Sequence, residues 1–449
     1  MQATLVRDLT VKSSHPDSGS NVAVERVVLI HDHPRIKRSS DSKVELEGLA
    51  RSSGAEIVGH VFNSRSGPSQ RMFIGSGKVL EIRETIKRHC AELVIFESEL
   101  SPIQERNLEK ELDCRVLDRV RLILDIFAMR ARTREGRLQV ELAQLGYLST
   151  RLVRGWSHLE RQRGGIGLRG PGETQLESDR RLLNQRVKTL KKRLQRVRSQ
   201  RVLHRRHRQR IPISTVSLVG YTNAGKSTLF NRLADSQVYA ADQLFATLDP
   251  TIRRIALPGY GPLLVSDTVG FIRELPHSLV EAFRATLEEV VASQMLIHVV
   301  DFSEPDYRER IVQVESVLEE IGAAEIPRLT VFNKVDQASR EADAIVGASG
   351  YLDKVWLSAI TGVGIDLLHR ALIEHLGAGR RVRRLCLPPA SAKCRAYVHQ
   401  LAEVRREKVD QSGNWLMDVV VDDAIEGRIS SLREFQEDFW LNRSEGLLA

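Results

Sequence analysis

The stretch Thr215-Val216-Ser217-Leu218-Val219-Gly220-Tyr221-Thr222-Asn223-Ala224-Gly225-Lys226-Ser227-Thr228 decides the fold. Its first five residues form an apolar run, and Gly220–Ser227 fits the phosphate-loop pattern GxxxxGK[ST]. Thr228–Ala234 then reads as a helix. A strand, a glycine-bearing loop and a helix in that order aim backbone N–H groups at phosphate oxygens from a helix N-terminus. Gly220, Tyr221, Thr222, Asn223, Ala224, Gly225, Lys226, Ser227 and Thr228 are therefore expected to line the phosphates of a nucleotide. Lys226 is expected to reach the β- and γ-phosphates as a catalytic cation, and the Ser227 hydroxyl to bind Mg²⁺.

Further along, Asn333-Lys334-Val335-Asp336 follows the apolar run Leu329–Phe332 and fits the guanine-reading motif NKxD. A carboxylate at Asp336 can accept from guanine N1–H and the exocyclic N2 amine. Adenine lacks that amine and presents an acceptor at N1, so it is disfavoured. Asn333 can hold the loop and approach the purine O6/N7 edge, and the Lys334 stem can cover the ring. Ser358-Ala359, at the end of the run Lys354–Ala359, fits the loop whose backbone amide meets guanine O6. Between these motifs, Asp267-Thr268-Val269-Gly270 fits DxxG. Asp267 is expected to reach the Mg²⁺ shell through water, and the Gly270 N–H to sense the γ-phosphate. In Leu244–Thr251 (LFATLDPT), Thr247 is the candidate switch threonine, a second Mg²⁺ ligand in the triphosphate state. Thr251 lies four residues away, and Asp249-Pro250 reads as a turn signal. Phe271 stands where a water-orienting glutamine follows DxxG in Ras-like proteins. Phenylalanine cannot polarise water, so hydrolysis is expected to be slow without a partner; the other reading of Phe271 is a core residue.

The 449 residues are too many for one ordinary domain. No run of 18 apolar residues exists, so a transmembrane helix is not expected. The N-terminus lacks a signal-peptide core, and the four cysteines are too scattered for a disulfide framework or a CxxC zinc site. A reducing cytosol follows. Residues 1–24 read as a polar, flexible tail. Residues 25–130 alternate short apolar runs with helices, which predicts an N-terminal α/β domain with a largely parallel sheet. Residues 131–210 carry two helical seams, Leu138, Leu142, Leu145 and Leu152, then Leu183, Val187, Leu190, Leu194 and Val197. Between them lies the glycine-rich stretch Gly164–Gln175, so an antiparallel helical hairpin is expected. Residues 211–379 form the phosphate-loop unit, an open, mostly parallel sheet with helices. Residues 380–449 read as a small α+β unit, with a helix over Ala396–Glu407, a strand over Trp415–Asp423 and a helix over Ala424–Phe435.

Charge is uneven along these units. Residues 151–210 hold 19 basic and 4 acidic side chains, net +15, whereas 211–379 hold 13 and 22, net −9. The run Arg180–Arg210 has 14 basic residues and no acid. Without acidic partners one turn away, like charges on one helix repel. A polyanion relieves that repulsion, and nucleic-acid phosphates are the expected partner, ahead of a solvated face or a membrane surface. The few aromatics nearby, Tyr147 and Trp156, argue against a stacking platform for single strands.

Taken together, the chain resembles the HflX family of translational GTPases, bacterial ribosome-splitting factors. The resemblance rests on GGIGLRGPGETQLE (Gly164–Glu177), GYTNAGKSTLFN (Gly220–Asn231), LFATLDPTIRR (Leu244–Arg254), DTVGFIRELP (Asp267–Pro276) and FNKVD (Phe332–Asp336). It implies GTP as substrate, hydrolysed to GDP and phosphate, with Mg²⁺ held by Ser227 and Thr247. It places Phe245 and Thr247 in the nucleotide-binding switch, and Lys226, Thr247 and Gly270 in catalysis. The large ribosomal subunit and its RNA are the implied partners, with the loop around Gly164–Gly172 approaching the peptidyl-transferase region. GTP would favour the docked state and split stalled or idle ribosomes under stress, and hydrolysis would release the factor. The implied protein is a cytoplasmic monomer, with room for peripheral membrane association. Two other readings stay open: an RNA-binding anti-association factor with a merely structural nucleotide, and an ATP-driven RNA remodeller. Against the second, Ile74–Val79 (IGSGKV) lacks full phosphate-loop spacing.

Overall fold

The structure, a computed structural model, describes residues 24–32, 39–63, 70–155, 171–209, 213–235, 244–245, 247–258, 260–273, 287–348, 350–377, 379–432 and 434–441. The tail expected over 1–24, apart from its last residue, and Gly164–Gly170 of the glycine-rich stretch lie outside them.

The N-terminal unit alternates strand and helix: β1 (Arg26–Asp32), α1 (Ser39–Ser52), β2 (Glu56–Asn63), α2 (Ser76–His89), β3 (Leu93–Phe96), α3 (Pro102–Leu112), β4 (Arg115–Asp118) and α4 (Arg119–Arg130). The strands form a four-stranded sheet in the order β2-β1-β3-β4, every pair parallel. Successive side chains point to opposite faces, and both faces are covered. Val28, Ile30, Val94 and Phe96 pack with Ile82 and Leu108 of α2 and α3. Val27, Leu29, Leu93 and Ile95 pack with Leu46, Leu49, Ile123 and Phe127 of α1 and α4. Helix α3 starts sharply because Ser101 and Gln104 form a capping box around Pro102.

Two long helices follow, α5 (Arg134–Gly155) and α6 (Pro171–Gln209). They pack through Leu138, Leu142, Leu145, Leu183, Val187, Leu190 and Leu194, the seams expected from the sequence. Arg186 bonds Glu141 across the pair. The second helix begins at Pro171, inside the stretch read as a loop, because a proline needs no amide hydrogen bond in the first turn. Helix α5 is anchored to the first unit. Asp118, 1% exposed, caps α4 through the Arg121 N–H at 2.9 Å and also accepts the Tyr147 hydroxyl at 2.9 Å and Arg151 Nη2.

The third unit holds β5 (Ser214–Val219), α7 (Lys226–Ala234), β6 (Thr251–Leu257), β7 (Gly261–Asp267), β8 (Met295–Asp301), α8 (Tyr307–Glu320), β9 (Arg328–Asn333), β10 (Asp343–Val346), β11 (Leu352–Trp356) and α9 (Ile365–Gly377). Its seven-stranded sheet runs β10-β11-β9-β8-β5-β7-β6. The five central strands are parallel, and the edge strands β10 and β6 are antiparallel. The polar β10 was not anticipated.

The last unit comprises β12 (Arg381–Leu387), α10 (Ala392–Leu401), β13 (Glu403–Val409), β14 (Trp415–Val421), α11 (Asp423–Ser430) and β15 (Trp440–Leu441). Its antiparallel sheet, in the order β13-β14-β12-β15, covers a core of Leu385, Leu387, Val398, Met417, Val419 and Ile429. The helix expected over Ala396–Glu407 is corrected: it ends at Leu401, and the charged Glu403–Val409 instead pairs along β14. The final helix is likewise shorter than expected, ending at Ser430. The multidomain α/β class, with a helical pair and a small α+β end, is borne out.

One apolar cluster crosses between units. Leu46, Leu49 and Phe127 share a continuous core with Tyr221, Phe245, Leu248, Phe271 and Ile272. Among the described residues no helix is long and apolar enough to cross a membrane.

Candidate functional site

The phosphate loop leaves β5 and enters α7 with two glycines under steric compulsion. At Gly220, φ is +147 and a Cβ would stand 2.2 Å from the Val299 carbonyl oxygen. At Gly225, φ is +87 and a Cβ would stand 2.2 Å from Asn333 Nδ2. Only glycine fits either position. Asn223 between them is also left-handed, at φ +61, a conformation asparagine tolerates better than most residues. Lys226 is 6% exposed, and its ammonium donates to the carbonyls of Gly220 at 3.1 Å and Tyr221 at 2.7 Å. Burial lowers its pKa to about 8, against the pull of Asp267.

The DTVG segment leaves β7 on the neighbouring strand. Its Gly270 lies so close to the loop that a Cβ would meet Thr222 Cγ2 at 2.8 Å and Lys226 Nζ at 3.0 Å. Phe271 then pairs with the loop as a short parallel bridge: its N–H donates to Gly220 O at 3.1 Å and its carbonyl accepts the Thr222 N–H at 2.7 Å. The ring is 2% exposed within the shared cluster, so Phe271 is a core residue as well as one without a hydrogen-bonding group.

Ser227, Thr247 and Asp267 come together. Ser227 Oγ lies 2.8 Å from Thr247 Oγ1, and both hydroxyls donate to Asp267 Oδ2, at 2.7 and 2.9 Å. Thr251, the other threonine weighed for the switch, begins β6 opposite Asp267. Burial raises the Asp267 pKa, and the hydrogen bonds from Ser227 and Thr247 and the nearby charge of Lys226 oppose that rise. Its Oδ1 is buried with no hydrogen-bond partner. Three hard oxygen donors, one of them a carboxylate with an unpartnered oxygen, suit Mg²⁺.

On the other side, Asn333 joins three segments. Its Nδ2 donates to Ala224 O and its Oδ1 accepts the Ala359 N–H, each at 2.9 Å. The Ser358 N–H is also spent inside the protein, on Val363 O. Lys334, at φ +65, forms an ion pair with Asp301 at 2.6 Å. Asp336 is exposed.

Several contacts were invisible to motif reading. The Tyr221 hydroxyl donates to Glu45 of α1 and accepts the Arg273 N–H at 2.8 Å. Burial and Glu45 hold that phenol far above its ordinary range. Arg119 joins Glu45 and the Arg273 carbonyl. Asp249, read from sequence as a turn residue, bonds Arg132 and Thr133. A cavity of about 290 Å³ lies between α1 and the loop, lined by Glu45, Ser52, Tyr221, Thr222, Asp301 and Arg310 among others.

A phosphate loop, a DxxG segment and an NKxD segment, set at the carboxyl ends of neighbouring parallel strands, define a P-loop GTPase, an enzyme that hydrolyses GTP. Three family models match the chain: a GTP-binding GTPase N-terminal domain over residues 40–128, a GTP-binding GTPase middle region over 130–208, and a 50S ribosome-binding GTPase over 215–334. GTPase HflX of Escherichia coli strain K12 is 51% identical over 87% of this chain and 92% of its own length. GTPase HflX of Magnetococcus marinus is 46% identical over 85% and 89%. The chain belongs to the HflX family of GTPases.

Proposed function

We propose that this GTPase binds the large ribosomal subunit through the α5–α6 hairpin and dissociates stalled or idle ribosomes in the cytoplasm, as a stress response. GTP favours the bound state and hydrolysis releases it. The observation that carries this reading is the outer surface of α6. Lys188, Lys191, Lys192, Arg193 and Arg196 are all exposed, while Leu190 and Leu194 between them pin the helix to α5. Among the described residues these five cations make no ion pair, so their charge is available to RNA phosphate. The description of the matching family as a 50S ribosome-binding GTPase supports the large subunit as partner.

In this reading the loop amides from Tyr221 to Thr228 and the Lys226 ammonium take the phosphates. Lys226 must first let go of the Gly220 and Tyr221 carbonyls. Ser227 and Thr247 would hold Mg²⁺, with Asp267 reaching it through water; when bound, the ion would supply charge neutralisation at the phosphates. The Gly270 amide senses the γ-phosphate, and Phe245 packs the switch segment. Asp336 reads guanine, Lys334 covers the base, and Asn333, Ser358 and Ala359 shape its edge. Because Phe271 gives water no hydrogen bond, turnover is slow until the ribosome organises the attack.

The test is GTP turnover with and without purified large subunits. Stimulation is expected, by as much as the roughly 10³-fold or more that a supplied transition-state group gives other GTPases. Equal rates would remove the ribosome from this account.

A further inference from the structure

Phe245 takes the switch segment through φ +56, a left-handed conformation that bulky side chains rarely adopt and that persists only where the surroundings enforce it. The enforcement comes from the N-terminal unit. The Phe245 ring meets Phe127 of α4 edge-on at 4.5 Å, and the Leu244 N–H donates to Ser52 Oγ of α1 at 2.9 Å.

Four residues on, Asp249 reaches the start of the hairpin. Its Oδ2 accepts the N–H groups of Arg132 at 3.0 Å and Thr133 at 2.8 Å, and its Oδ1 accepts the Thr133 hydroxyl. The same hydroxyl accepts the Gly136 N–H at 2.9 Å, so Thr133 caps α5 in the usual way. A hydrogen-bonded chain therefore runs from the switch carboxylate into the first turn of α5. Gly136 makes room for it: a Cβ there would stand 2.3 Å from Asp249 Oδ1. Glycine otherwise weakens a helix relative to alanine; here its missing side chain admits the carboxylate.

Thr247 sits midway between the two fixed points, Phe245 and Asp249. We propose that Asp249, seated over Gly136, is a positioning residue for Thr247. It holds the switch segment where the Thr247 hydroxyl joins Ser227 and Asp267, and it ties that arrangement to the first turn of the hairpin. The proposal rests on the reading of Thr247 as a Mg²⁺ ligand in the GTP state.

The test uses the full chain and compares affinity for GMPPNP with affinity for GDP in Mg²⁺, together with the Mg²⁺ half-saturation of the GMPPNP complex. The variants are Asp249→Ala, Thr133→Val and Gly136→Ala, with Thr247→Ala as reference. Gly136→Ala changes no residue of the G unit and favours the helix, so thermal unfolding distinguishes failed folding from failed positioning. Each variant should weaken GMPPNP about tenfold relative to GDP, in keeping with loss of charge-assisted hydrogen bonds, and raise the Mg²⁺ requirement. Thr133→Ser, which keeps the hydroxyl, should restore both. Hydrogen exchange at the Arg132 and Thr133 amides should slow with GMPPNP in the wild type and not in Asp249→Ala. If Thr247→Ala abolishes the preference for GMPPNP while the three other variants keep it, Asp249 positions nothing. If Thr247→Ala changes nothing, the reading of Thr247 itself fails.

Discussion

Asn333 Nδ2 donates to the Ala224 carbonyl at 2.9 Å, so the NKxD segment and the GxxxxGKS loop are one hydrogen-bonded body. With Ala359 on the other atom of the same amide, Asn333 is 2% exposed and fully spent on protein. Asn333→Ala would strand a buried carbonyl and a buried N–H, at about 1–3 kcal/mol each. We expect a lower Tm in the nucleotide-free protein and loss of GDP as well as GTP affinity, measured by calorimetric titration. Unchanged GDP binding would contradict the bracket role.

Asp336 has a different job, and its variant should behave differently. Asp336→Asn presents a donor where guanine N2 also donates, but xanthine carries an oxygen there. The variant should lose GTP affinity, gain affinity for xanthosine triphosphate and keep its Tm, because the residue is exposed. Full retention of GTP affinity would show that another group selects the base.

Lys226 makes stability depend on pH in a defined window. Its pKa is about 8 in the folded chain, against 10.5 as an ordinary lysine. Between those values the unfolded chain holds a proton that the folded chain has lost, so stability rises with pH. Below about 8 both states hold it, and the burial penalty stands in full. The unfolding free energy of nucleotide-free protein, relative to Lys226→Met, should therefore climb as pH goes from 8 to 10, by a few kcal/mol at most. A flat difference would mean that the ammonium is well solvated.

The α6 cations should act through counterion release. Reversing Lys191 and Arg196 should weaken large-subunit binding most at low salt and lower the slope of log affinity against log salt by roughly one for each phosphate left without its cation. Leu190, fully buried in the seam, offers the contrast. Its change to Ala should loosen α6 from α5, at about 2–5 kcal/mol, and lower affinity with little change in salt slope.

Much of this was legible in the sequence because the relevant signals are local. Strand, loop and helix around Gly220–Ser227 are contiguous, and the Leu138 and Leu190 seams repeat at helical spacing within one segment. The misread parts have another cause. Glu403–Val409 is charged enough to pass for a surface helix and is a strand because β14 offers it an edge. Asp249-Pro250 carries an ordinary turn signature, yet its carboxylate is spent on Thr133, 116 residues earlier. Phe271 left two readings open, a missing glutamine and a core residue, since its burial depends on α1 and α4, far away in the chain. Packing between units leaves no periodicity to read.

The cluster that runs from Leu46, Leu49 and Phe127 to Tyr221, Phe245, Leu248 and Phe271 makes the enzyme a poor candidate for dissection. Cut free after residue 210, the catalytic part would turn a greasy flank toward solvent, formed in part by the loops that carry Tyr221, Phe245 and Phe271. Such a fragment invites self-association, and its kinetics would report on unsupported loops rather than on the intact enzyme. In this chain the neighbour is part of the catalyst's wall.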